Sequence, residues 1–400
     1  MPSTVKDETI RAKQLAREMI NEYVAWRGQI TYGQELHLTY METLDFVNFR
    51  METADSCLLL LENGRVGDAL GLCRSLFENY LLFMLMCRGT KLFKLEDLSG
   101  GSEGEFKKAL AEKQAELEGL QAAGTTACLA AERYPRAKRQ IMYVYKGLMS
   151  PDSDLPDFVI PAYYFHFRHF SPETMRLKDE NYFQYDEPRA DTTKATRDQQ
   201  AVQEARYRRY LSYDALLQCL ALNDLADSAV LARIEAHYTF LGRFLHPTND
   251  AARDLHESPN VQDGQTRIGL SQTYAETAVL LAYLYVCYIL AATLDEAAGL
   301  FERAPTKYMA DPGTDDLRAA TARVPAQFPY FWFLFNDPPL YDRFNYCVSH
   351  ASDEELAAWG SYEHVPLERV PFNQYIYSHF QQSLNGYRNV RCGEYRSPLA

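Results

Sequence analysis

AVLLAYLYVCYILAATL, residues 278–294, is the longest apolar run in the chain and the stretch on which the fold turns. A membrane span needs roughly 20 consecutive apolar residues. This run is shorter, carries Tyr283, Tyr285 and Tyr288, and is bounded by Glu276 and by Asp295-Glu296. It therefore reads as a helix apolar all round, at the centre of a helical core, within a longer helix over 267–300. The other strongly apolar stretch, Tyr80 to Cys87, is too short to cross a bilayer. The expectation is a body with no membrane segment.

Working outward, helical spacing recurs. Residues 5–27 place Ile10, Leu15, Ile20 and Val24 on loosely helical positions. Residues 35–61 put Leu44, Val47, Met51, Ala54, Cys57 and Leu58 on one face. Glu62-Asn63-Gly64 then signals a turn. Residues 65–88 read as the second arm of an antiparallel hairpin. Residues 103–122 and 126–148 read as another helical pair, the second carrying Arg133, Arg136, Lys138, Arg139 and Lys146. Helices resume at 203–222 and 225–245, where Pro247 ends the second. Before them, over 150–200, Pro151, Pro156, Pro161, Pro172 and Pro188 mark an irregular insertion. Beyond Pro305 come short helices and the aromatic run Phe328-Pro-Tyr-Phe-Trp-Phe-Leu-Phe335. The fold class is all-α: an antiparallel helical bundle with an irregular insertion and an aromatic-rich C-terminal extension. Its parts are 1–149 and 203–304 as the two bundle halves, 150–202 as the insertion and 305–400 as the extension.

Composition narrows the class. The chain has 400 residues, 47% of them hydrophobic and 13% aromatic, ample for a buried core. The formal net charge of -13 repels nucleic acid and anionic membranes on average, so contact with either needs a local basic patch. The eight cysteines form no Cys-x-x-Cys, and most have apolar neighbours, as buried free thiols do. The polar N-terminus has no secretory apolar region. These features point to the cytoplasm.

Polar residues planted in the apolar frame are the candidates for chemistry. Arg74 and Glu78 lie four apart, on one helix face among Leu70, Cys73, Phe77 and Leu81. If that face is buried they must pair, either as a structural ion pair or as the lining of a polar site. The end of helix 225–245 carries Arg233, His237, Tyr238 and Arg243, then His246-Pro247. A histidine at a helix C-terminus is favoured as the cation, so His246 reads as a cap or as an acid–base group that Arg74 and Glu78 orient. His166 and His169, with Asp152, Asp154 or Asp157, form a weak metal candidate without a fixed third ligand. No cofactor motif is present, and none is expected. The basic residues Arg133, Arg136 and Arg139, with Arg206, Arg208 and Arg209, are candidates for an RNA backbone or for a solvated face. Tyr375, Tyr377 and Tyr387 are candidates for a binding surface or for completing the core.

Arg74-Ser75-Leu76-Phe77-Glu78 followed by Tyr238…His246-Pro247 resembles a group of uncharacterised bacterial helical proteins similar to the HEPN superfamily of toxins and defence nucleases. The resemblance covers roughly residues 35–300. It implies a metal-independent ribonuclease, often a homodimer, with Arg74, Glu78, His246, Tyr238 and Arg243 at the site. The family spaces its arginine and histidine by four to six intervening residues. Here Arg243-x-x-His246 and Arg233-x-x-x-His237 are shorter, and only Arg343-x6-His350 has the spacing, outside the region of resemblance. The competing reading is a non-catalytic helical protein that binds another protein or acts as a scaffold.

Overall fold

The computed structural model describes residues 4–146, 212–245 and 274–391, with Leu255 and the strand residues 170–171 and 176–177. Its centre is the helix read first. Here it spans Glu276–Glu302, and twenty of its residues are buried, from Ala278 to Phe301. A helix apolar on every side has no face to give to water, so other helices must surround it. Four do: α1 (Val5–Gln29), α2 (Leu38–Glu62), α3 (Val66–Arg88) and Asp315–Gln327. The central helix and α3 are each long and apolar enough to cross a membrane by length and composition, and most of each is buried within this body.

Helices α2 and α3 pack together as a hairpin, as their spacing predicts. The turn between them places Gly64 at φ +69°, a left-handed conformation open to glycine. Capping boxes start α1 at Thr4 and α4 (Glu103–Ala122) at Ser102.

The second arm expected after α4 is not helical. Residues 128–133 and 140–146 are the strands β3 (Cys128–Arg133) and β4 (Gln140–Lys146). With β2 (Lys91–Asp97) they make an antiparallel sheet in the order β2-β4-β3. In a helix interior Pro135 lacks the N–H and clashes with the preceding turn. Here it falls in the connection of the β3–β4 hairpin. The β4 segment, QIMYVYK, is rich in the residue types that suit a pleated, half-buried surface. Helix α4 packs on β3, and its glutamines satisfy strand carbonyls. Gln121 donates to Cys128 and Leu129 at 3.1 Å each, and Gln114 donates to Ala131 at 3.0 Å. Two further strand pairs are short: β1 (Thr31–Tyr32) with β7 (Met309–Asp311), and β5 (Phe170–Ser171) with β6 (Arg176–Leu177). The fold is mainly α-helical, with this small sheet as its one departure of consequence.

The later helices are α5 (Tyr213–Leu222), α6 (Ser228–Gly242), α7 (the central helix), α8 (Asp315–Gln327), α9 (Leu340–Ser349), α10 (Asp353–Trp359) and α11 (Ile376–Arg391). The aromatic run between α8 and α9 completes the core. Phe328, Tyr330, Phe331, Trp332, Phe333 and Leu334 are buried, and only Phe335 turns outward. One hydrophobic cluster joins residues from α1 to α11. The seven described cysteines are free and buried, and Cys392 lies outside the described residues.

Candidate functional site

Arg74 on α3 and Tyr238 on α6 meet, although 164 positions separate them. The Arg74 guanidinium donates to the Tyr238 hydroxyl at 2.5 Å, and its carbon lies 4.3 Å from the centre of the Tyr238 ring. Tyr213, the first residue of α5, stacks on the opposite face of that ring system at 3.5 Å, nearly parallel. Gly242 allows the close approach of α6 to this arginine: a Cβ there would lie 3.3 Å from Nη1. Glu78 completes the cluster, 3.6 Å from the guanidinium.

The two charges differ in burial. The Arg74 side chain is 14% exposed and the Glu78 side chain 42%. The condition of full burial is met by one of the two: the arginine is enclosed, and the carboxylate faces water. Burial pushes the Tyr238 hydroxyl above its usual range and the hydrogen bond to Glu78 adds to this, while Arg74 opposes both. Tyr238 keeps its proton at neutral pH. Arg243 is the exposed residue at the C-terminus of α6. His246 lies outside the described residues. The structure thus brings together Arg74, Glu78 and Tyr238 of the five residues expected.

His237, one residue earlier, points into the core and is fully buried. A carbonyl can only accept, so Nε2–H donates to Trp332 at 3.2 Å, which leaves Nδ1 to accept from the Tyr285 hydroxyl at 2.8 Å. Rings of Phe331, Phe333 and Phe372 lie within 5.8 Å of the imidazole centre. Burial pushes its pKa down to about 3, so His237 is neutral and structural.

Arg133, Arg136 and Arg139 are engaged with the protein. Arg133 pairs with Glu103 at 2.9 Å and covers the Phe106 ring. Arg136 bridges Asp214 of α5 and Glu235 of α6 at 3.3 and 3.4 Å. Arg139 reaches the Gly101 carbonyl and Glu103. They lie on and between strands, not along one helix face as expected. Arg206, Arg208 and Arg209 lie outside the described residues, as do His166, His169 and the aspartates proposed beside them. Among the described residues no cluster of three metal-binding side chains occurs.

Arg343 and His350 share α9 and its end but do not form a site together. Arg343 is held by Asp337 at 3.1 Å and by the Glu363 carbonyl at 2.8 Å. It lines one groove and His350 another. Two buried polar contacts were not singled out from the sequence. Asp342 and His379 pair at 2.7 Å between α9 and α11, both over nine-tenths buried. Glu8, completely buried on α1, pairs with Arg11 and accepts from Tyr330 at 3.1 Å. Tyr377 packs its hydroxyl against Thr277 at 2.9 Å, while Tyr375 is exposed.

No protein-family model, characterised protein or solved structure matches the chain, so the resemblance to the HEPN superfamily rests on the quoted motifs alone.

Proposed function

We propose that the protein is a non-catalytic helical binding or scaffold protein, in which Arg74 and Tyr238 lock α3 to α6. The observation that carries this is the commitment of Arg74. Its guanidinium donates to a hydroxyl, covers a ring and lies near a carboxylate of the protein itself, in a seam closed to water on most sides. A guanidinium held this way ties two helices together from within their seam.

Arg74→Ala removes a charge-assisted hydrogen bond and the packing on Tyr238, so it should lower stability by about 2–3 kcal/mol. Glu78→Ala should cost under about 1 kcal/mol, because its side chain is exposed. Chemical denaturation of the three proteins measures both. Equal and small losses in the two variants would remove the structural role from Arg74.

The second reading is a HEPN-like toxin or antiphage-defence effector that cleaves RNA in the cytoplasm, as a homodimer and without metal. What favours it is the exposed carboxylate of Glu78, which leaves one side of the Arg74–Tyr238 cluster open to a substrate. In that reading His246 acts as the acid or base on the 2′-hydroxyl or leaving oxygen. The purified protein is incubated with total RNA in EDTA. Cleavage that disappears in His246→Ala supports this reading, and intact RNA with the wild type, or cutting by the variant at the wild-type rate, rejects it.

A further inference from the structure

A groove of about 1220 Å³ opens between the N-terminal part of α6, the end of the aromatic run, α9 and residues 367–375. Its volume suits a small molecule, since ligand clefts of this order are common in folded domains. One wall is a single stripe of α9. Asp342, Asn345, Tyr346 and Ser349 follow one another at helical spacing, and all four line the groove. Residues four apart on a helix have Cβ atoms about 5–6 Å apart, so the Asp342 carboxylate and the Tyr346 ring lie within the span of one small molecule.

The charges of the groove are unevenly matched. Four carboxylates line it, those of Asp227, Asp337, Asp342 and Glu368, against the guanidinium of Arg233 and the imidazole of His350. Arg233 lies over the Trp332 ring, 5.5 Å from its centre, and Asp227 offsets its charge while capping α6 at the Val230 amide. Asp337 pairs with Arg343 at 3.1 Å. His350 is exposed at the end of α9, with its ring 5.7 Å from that of Tyr346. Glu368 is exposed and makes no hydrogen bond or ion pair among the described residues. Asp342 is different, because it is enclosed: its side chain is 9% exposed. Its Oδ1 takes the His379 imidazole at 2.7 Å, whereas its Oδ2 is buried with no hydrogen-bond partner. A buried carboxylate oxygen without a donor carries a cost that an incoming N–H removes.

We infer that this groove binds a small primary amine with an aromatic or apolar body, its ammonium donating to Asp342 Oδ2 and its body lying along the Tyr346 ring. The surplus of carboxylates attracts a cation and repels an anion. A primary amine fits better than a quaternary one, because Oδ2 lacks a donor and not merely a counter-charge. The inference deepens the binding reading and rests on it, but it is tested separately. The stability of the Arg74 variant tests that reading, and affinity at the groove tests this one, so either can fail alone.

Titration calorimetry of the full chain with phenethylamine provides the test. 2-Phenylethanol has the same shape without the charge and should bind at least about tenfold more weakly. The anion 3-phenylpropanoate should show no saturable binding. Asp342→Asn keeps an acceptor for His379 and removes the charge, so it should weaken phenethylamine binding at least about tenfold. Tyr346 is only partly buried, so Tyr346→Leu keeps the test open if Asp342→Asn fails to fold, and it should weaken binding several-fold. The absence of saturable binding of phenethylamine at millimolar concentration overturns the proposal. So does equal affinity for the amine and the alcohol, or unchanged affinity in a folded Asp342→Asn or Tyr346→Leu.

Discussion

Acidification from about pH 7 to about pH 4 should cost the wild-type protein about 3 kcal/mol more folding stability than it costs His237→Gln. The argument starts from burial. His237 is fully enclosed among aromatic rings, with both ring nitrogens in hydrogen bonds that need the neutral imidazole. Its pKa is lowered to about 3, from an ordinary value of 6.5. Between those two values the unfolded chain takes up a proton that the folded one refuses. The stabilisation by His237 is therefore complete above pH 6.5 and is lost progressively as the pH falls towards 3. Over the whole window the loss is about 5 kcal/mol, a large share of a typical domain's stability. Carboxylates add their own pH dependence. Hydrogen bonds from Lys13 and Arg17 to Glu62, and from Arg318 to Glu302, hold those groups down, whereas burial raises Glu296. They are common to both proteins and cancel in the comparison. Glutamine can donate to the Trp332 carbonyl and accept from Tyr285, and it does not titrate. Denaturant unfolding at several pH values gives the answer, and parallel stability profiles for the two proteins would exclude His237 as the acid-sensitive group.

How far the sequence reveals such features depends on whether the signal is local. The helices at 5–29, 38–62, 66–88 and 276–302 are legible because each carries its own apolar period over many turns. The sheet is not, although its evidence is present. KLFKLED and QIMYVYK are short, and the arginines between 133 and 139 imitate the charged face of a helix. Pro135 is the residue that argues against that reading, since a helix interior rejects it. The Arg74–Glu78 spacing identifies a shared helix face but not its depth. Only the packing of α6 against α3 encloses one charge and leaves the other wet. Partners such as Trp332 for His237, Tyr213 for Tyr238 and His379 for Asp342 are set by tertiary contact, and no spacing rule reaches across such distances.

Arg11→Met should destabilise the protein by about 3–5 kcal/mol, and Glu8→Gln by much less. Glu8 is 0% exposed, and Arg11 is the cation that it pairs with on the next turn of α1. Removing the arginine leaves a carboxylate charge inside the core without that compensation. Removing the charge while keeping an acceptor, as glutamine does, preserves the 3.1 Å bond from the Tyr330 hydroxyl. The asymmetry separates a buried ion pair from a decorative one, and it is read from denaturation midpoints of the two variants. Equal losses would show that the carboxylate is not sealed from water. Glu8 also holds the aromatic run at Tyr330 from the α1 side, while His237 holds it at the Trp332 carbonyl from the α6 side, so the run is pinned by two helices far apart in sequence.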